Sequence, residues 1–147
     1  MHGERNQQPL TAEEVQYCQT AWDFLCGEAK LEFDVSRASV AGSKTTFNES
    51  RLKVFLGADA YPGVGIDSRS RLSVLACLAT ELAHWERFEK GFNRPTKSPG
   101  SLIDEAETSL HASFMSGLGP QDREDLVEDA RDRTADWLSY VRKARES

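Results

Sequence analysis

The stretch from Leu78 to Glu86, LATELAHWE, is where this 147-residue chain turns from apolar helix to a display of polar groups. The segment LSVLACLA over 72–79 is apolar nearly all round and leads directly into Thr80, Glu81, His84 and Glu86. On a helix, positions 80 and 84 lie one turn apart on the same face, with Glu81 beside them. An imidazole next to a carboxyl can move protons or hold a metal ion. A second acidic set, Asp104, Glu105 and Glu107, follows the proline loop Gly91 to Ser101. It falls on a predicted short helix, Asp104 to Met115, placed to pack across from His84. His111 lies one turn after Glu107, on its face. Arg94, beside Pro95, is placed to lie over the cluster as a binding residue.

Zinc metallopeptidases carry HExxH, in which two histidines one turn apart ligate the metal and the glutamate between them acts as general base. Here TELAH keeps the glutamate and the second histidine, with Thr80 at the first histidine position. TELAH, with Glu107-Thr108-Ser109-Leu110-His111-Ala112-Ser113 on a following helix, resembles the ImmA/IrrE-type metallopeptidases. Their order is an N-terminal helix, short strands, an HELxH helix and a glutamate-bearing helix. The resemblance runs over roughly residues 11 to 116, and its specific content is those two motifs. It implies Glu81 as general base, His84 as a zinc ligand, and Glu107 as a further ligand with Glu105 as the neighbouring alternative. Thr80 and His111 are weaker ligand candidates.

A threonine hydroxyl is neutral, shorter than imidazole and a poor donor to zinc, which takes three or more strong protein ligands. The expected function is therefore that of a non-catalytic pseudo-metallopeptidase, a regulatory or interaction protein whose partner is another protein. No cofactor is expected, and zinc only if the site is functional. One alternative is a metal-dependent, site-specific peptidase with Glu81 as base. The other is a purely structural polar network in a protein-binding module, with Glu81 and Glu107 paired to Arg87 or Arg94. Glu81-x-x-His84 also matches the pair used by ferritin-like di-iron bundles, but those need a second such pair, and the chain has one.

The elements that must position these residues form an α+β domain. Met1 to Leu10 is read as a polar, flexible tail, and 11–147 as a single zincin-like domain. Thr11 and Glu14 form a capping box for a helix whose stripe is Val15, Cys18, Trp22, Leu25 and Ala29, ending near Gly27 to Lys30. Alternating residues predict short strands at Leu31 to Val35, Lys44 to Phe47 and Leu52 to Leu56, joined as an antiparallel three-stranded meander. Asp67 or Ser68 caps the central helix, predicted to run unbroken to about Lys90. Pro120 opens a last helix with Leu126, Ala130, Trp137 and Val141 as its buried stripe. Asp129 and Arg133, one turn apart there, read as a solvated ion pair.

A formal charge of -6, without any basic run, argues against a nucleic-acid surface. The longest apolar run, Val74 to Ala79, is too short to span a bilayer, and no targeting segment is visible, so no membrane partner is expected. Three cysteines without metal-type spacing fit reduced, buried thiols in a cytoplasmic setting.

Overall fold

A computed structural model describes residues 4–27 and 31–146. The helices are α1 (Ala12–Cys26), α2 (Ser68–Arg71), α3 (Val74–Glu89), α4 (Gly100–Ala112) and α5 (Pro120–Glu146). The strands are β1 (Glu32–Asp34), β2 (Thr46–Asn48) and β3 (Lys53–Phe55), with a 3-10 turn at Ala58–Ala60. The chain is α+β, as its patterning predicts.

The capping box at α1 forms as read. Thr11 N–H donates to Glu14 Oε1 at 2.8 Å and Glu14 N–H to Thr11 Oγ1 at 3.2 Å. Two orphan amides are thereby satisfied at once. Gly27 ends the helix with φ +55°, a left-handed conformation that glycine adopts without a Cβ penalty. Part of the expected helix end, and the first three residues of the expected tail, lie outside the described residues.

The sheet differs from the expected antiparallel meander. Its order is β1-β3-β2, with β1 parallel and β2 antiparallel to β3. Two aromatic anchors explain this. Phe33 of β1 stacks on Trp22 of α1 at 4.9 Å, while Phe47 of β2 meets Phe88 of α3 edge-on at 5.7 Å. Aromatic pairs of this kind add about 0.5–1.5 kcal/mol beyond their burial, a large share for three-residue strands. The anchors hold β1 and β2 at opposite edges, and β3 fills the slot between them with Val54 fully buried.

The central helix is likewise not continuous. Leu72 leaves helical geometry at ψ 132°, and Ser73 starts α3 by accepting from Ala76 N–H at 3.1 Å. Ser73 also donates to Asp122 Oδ1 at 2.7 Å, tying this break to the start of α5. Beyond it α3 threads the core, burying Val74, Ala76, Leu78, Ala79, Leu82 and Ala83. On α5, Leu126 and Ala130 are buried as expected, whereas Trp137 and Val141 are only half-buried.

Residues 4–10, read as part of a flexible tail, are instead tied to the body as a strap. Arg5 donates to the carbonyls of Asp59, Ala60, Arg69 and Leu72 at 2.6 to 3.1 Å. Glu4 bridges to Val64, and Leu10 is buried. The strap passes so close to Gly63 that a Cβ there would collide with the Glu4 carbonyl. A single arginine satisfying four carbonyls is invisible to hydropathy patterning, because the pattern registers a polar segment whether or not it is bound. No helix of the described residues is long and apolar enough to cross a membrane.

Candidate functional site

Three elements build the site. α3 carries Thr80, Glu81 and His84, α4 carries Asp104 and Glu105, and the connection between them carries Arg94. A turn of helix brings Glu81 and His84 to one side, where they line a cavity of about 280 Å³ with Arg94 and Glu105. The backbone N–H of Phe47 in β2 donates to the Glu81 carboxyl.

His84 Nε2 lies 3.6 Å from Glu105 Oε1, and the Arg94 guanidinium sits against both. Its Nη2 is 2.9 Å from Glu105 Oε1 and 3.2 Å from His84 Nε2. The backbone N–H of Arg94 donates to Glu49 Oε1 at 3.0 Å, which pins the connection to the turn between β2 and β3. From the other side, Arg133 of α5 approaches Glu105 Oε2 at 3.6 Å. Burial by itself raises the Glu105 carboxyl. The hydrogen bond and charge of His84, with Arg133 and Arg94, outweigh it and hold Glu105 well below the ordinary carboxylate range.

Glu81 has the opposite electrostatics. It is 6% exposed, and its Oε2 has no hydrogen-bond partner among the described residues. Burial pushes its pKa up, against the pull of His84 and Arg94 and of the Phe47 N–H, and Glu105 adds to the rise.

Of the expected ligands, the fold brings His84 and Glu105 together and adds Asp104, which the resemblance does not imply as a ligand. One oxygen or nitrogen from each of these three lies within 4.8 Å of the others. Glu107 is not part of this group. Its carboxylate is exposed and pairs with Arg87 at 3.0 Å, as does Asp104. The half-turn between 105 and 107 decides this, since successive helix positions point about 100° apart. His111 is also elsewhere, bonded to Glu86 Oε1 at 3.0 Å beside a separate hollow. Thr80 lines the cavity, but its hydroxyl donates to the Cys77 carbonyl at 2.6 Å.

As they stand, these residues do not fit a zinc ion. The first histidine position holds a hydroxyl committed to its own helix. The space between the remaining imidazole and carboxylate holds a guanidinium. Asp104 is already paired with Arg87 at 3.0 Å.

Asp129 and Arg133 were also misread as a solvated face. Asp129 is 2% exposed and accepts from Ser109 Oγ and Arg133 Nε, each at 2.7 Å. An i, i+4 pair looks the same in sequence on either face of a helix, so only the seating of α5 on α4 places it inside. The available signal was Ala130 and Leu126 flanking Asp129 on the buried stripe.

Comparison with family models, with curated proteins and with solved structures finds no match for this chain.

Proposed function

We propose that this chain is a non-catalytic binding protein on a zincin-like scaffold, acting by regulation or interaction with another protein. The observation that carries the reading is the position of Arg94. Its guanidinium stands within 3.2 Å of His84 Nε2 and 2.9 Å of Glu105 Oε1, where a bound cation would have to lie. A permanently charged, forked side chain in that place supplies the positive charge and occupies the acceptor lone pairs. With the guanidinium there, the cleft has no open cation position. What is left is a rigid, shaped polar cleft, which is the equipment of binding.

Elemental analysis of protein purified with zinc present tests this. The expected result is a metal content far below one per chain. Stoichiometric zinc that survives dialysis would overturn the reading. One observation favours a second reading, a metal-dependent hydrolase: the ligand atoms of His84, Asp104 and Glu105 converge within 4.8 Å. That reading requires Arg94 and Arg87 to give up their partners, and it predicts that Glu81→Gln abolishes peptide cleavage. Absence of cleavage by the parent protein across peptide libraries, with zinc added, ends it.

A further inference from the structure

The cavity beside His84 is also lined by Arg5, Lys44 and Arg69, three cations that line a second hollow as well. Arg5 is hydrogen-bonded to main-chain carbonyls, which carry no net charge, so its own charge is not cancelled. Arg69 is half-buried, and neither it nor Lys44 forms a side-chain hydrogen bond or salt bridge among the described residues. Burial, then repulsion from Arg133, works against the Arg69 charge, and the nearby carboxylates of Asp129, Glu105 and Asp136 offset part of this.

The remaining cations of the cavity are matched, Arg94 by Glu105 and Arg133 by Asp129. Asp59 accepts from Thr45 N–H at 2.6 Å. Burial works against the Glu81 charge. With histidine counted neutral, five cations face the four carboxyl groups of Asp59, Glu81, Glu105 and Asp129 in this cavity, an excess of one positive charge in a chain of net charge -6. Like charges gathered in a cleft with low-dielectric walls raise the local potential and draw in an anion. A second observation points into the same cavity. Glu81, nine-tenths buried, leaves Oε2 without a partner. A buried polar oxygen left in that way is costly unless a bound group completes it.

We propose that this cavity binds a small oxyanion-bearing molecule, its phosphate or carboxylate against Arg69 and Lys44 and an uncharged hydroxyl or amide reaching Glu81. The assignment rests on the reading that the cleft binds rather than cuts. A volume of about 280 Å³ suits a molecule of a few non-hydrogen atoms beyond the anion, not a folded segment. The forked guanidinium of Arg69 matches two oxygens of a carboxylate or phosphate, and the Lys44 ammonium adds a point charge.

The test is calorimetric titration of the full chain at fixed ionic strength with three probes: inorganic phosphate, acetate and glycerol 3-phosphate. The parent, Arg69→Gln and Lys44→Gln are compared, and zinc is measured in the same samples. We expect saturable binding to the parent, weakened about tenfold or more by Arg69→Gln and by a smaller factor by Lys44→Gln. Lys44 is exposed, so its loss leaves the fold intact. Phosphate ahead of acetate identifies a phosphorylated ligand, and the reverse a carboxylic acid. Glycerol 3-phosphate should bind more tightly than inorganic phosphate through its hydroxyls, and equal affinity removes Glu81 from the site. No saturable binding of any probe, or unchanged affinity in both variants, overturns the proposal. Anion binding by a chain that also holds stoichiometric zinc sinks the non-catalytic reading alone, and a metal-free chain that binds no anion sinks the anion site alone.

Discussion

Replacing Arg94 with alanine is the most informative single perturbation. The substitution removes a charge-assisted hydrogen bond to Glu105 at 2.9 Å and a contact with His84 Nε2 at 3.2 Å. It leaves the Arg94 backbone bond to Glu49 in place. Hydrogen bonds to charged groups are worth about 1.5–3 kcal/mol net. Two features reduce that figure here. Glu105 retains Arg133 at 3.6 Å, and the Arg94 and Glu105 side chains are 32% and 28% exposed, so water screens what is lost. We therefore expect a loss of about 1–2 kcal/mol, which for a chain of this size lowers Tm by about 3–6 °C. The variant should also gain what the parent lacks. With the guanidinium gone, and once Arg87 releases Asp104, His84, Glu105 and Asp104 can converge on a divalent cation, and zinc at about 100 times its Kd returns about 2.7 kcal/mol. Thermal melts of parent and variant, with and without zinc, read both effects. An unchanged Tm in the variant, or an equal zinc response in the parent, would refute the idea that Arg94 stands in for the cation.

Five further outcomes follow from the same geometry. Glu81, with a folded pKa above its unfolded value, costs nothing below the unfolded pKa of about 4.3 and destabilises increasingly as pH rises past it. Urea midpoints of the parent should thus fall relative to Glu81→Gln as pH goes from about 4 to 7; parallel curves would show that Glu81 is not held as an acid. Glu105 has the opposite sign, its stability present above the unfolded pKa and lost as pH falls toward the folded one. In Glu105→Gln, the acid-side loss seen in the parent should therefore shrink, which acid titration of circular dichroism can follow. Glu107→Ala should change stability by less than about 0.5 kcal/mol, because an exposed ion pair contributes little; a loss comparable to that of Glu105→Ala in chemical denaturation would contradict the assignment. Arg5→Ala should cost about 2–4 kcal/mol by orphaning several carbonyls at once, and Arg5→Lys should not restore it, since an ammonium lacks the fork that reaches four acceptors. Thr80→His combined with Arg94→Ala should bind zinc more tightly than Arg94→Ala alone by isothermal titration, and equal affinities would show that position 80 does not face the cluster productively.

How far the sequence reaches is best seen residue by residue. Thr11 and Glu14 cap α1 as their spacing dictates, because a capping box closes within four residues and needs nothing else in the molecule. Glu81 and His84 share a face of α3 for the same local reason. The pairing of β1 with β3 was not legible, since it depends on Phe33 finding Trp22 and Phe47 finding Phe88 across distant parts of the chain. Nor was the choice of Glu105 over Glu107 legible. Both stand on α4, and only the angle at which α4 lies against α3 and α5 turns one inward and the other to Arg87 and solvent.

The sequence by itself thus determined what is local: helix starts, amphipathic faces, an acidic chain with an imidazole and a carboxyl one turn apart on a core helix. The tertiary structure alone decided which charges meet. It put Arg94 between His84 and Glu105, buried Asp129, and drew Arg5 from the strap and Arg69 from α2 into one cavity. The physical reason is range. Backbone hydrogen bonds and side-chain periodicity act over a few residues, whereas electrostatic partners are chosen by proximity in space. That proximity is set only once the apolar faces have packed.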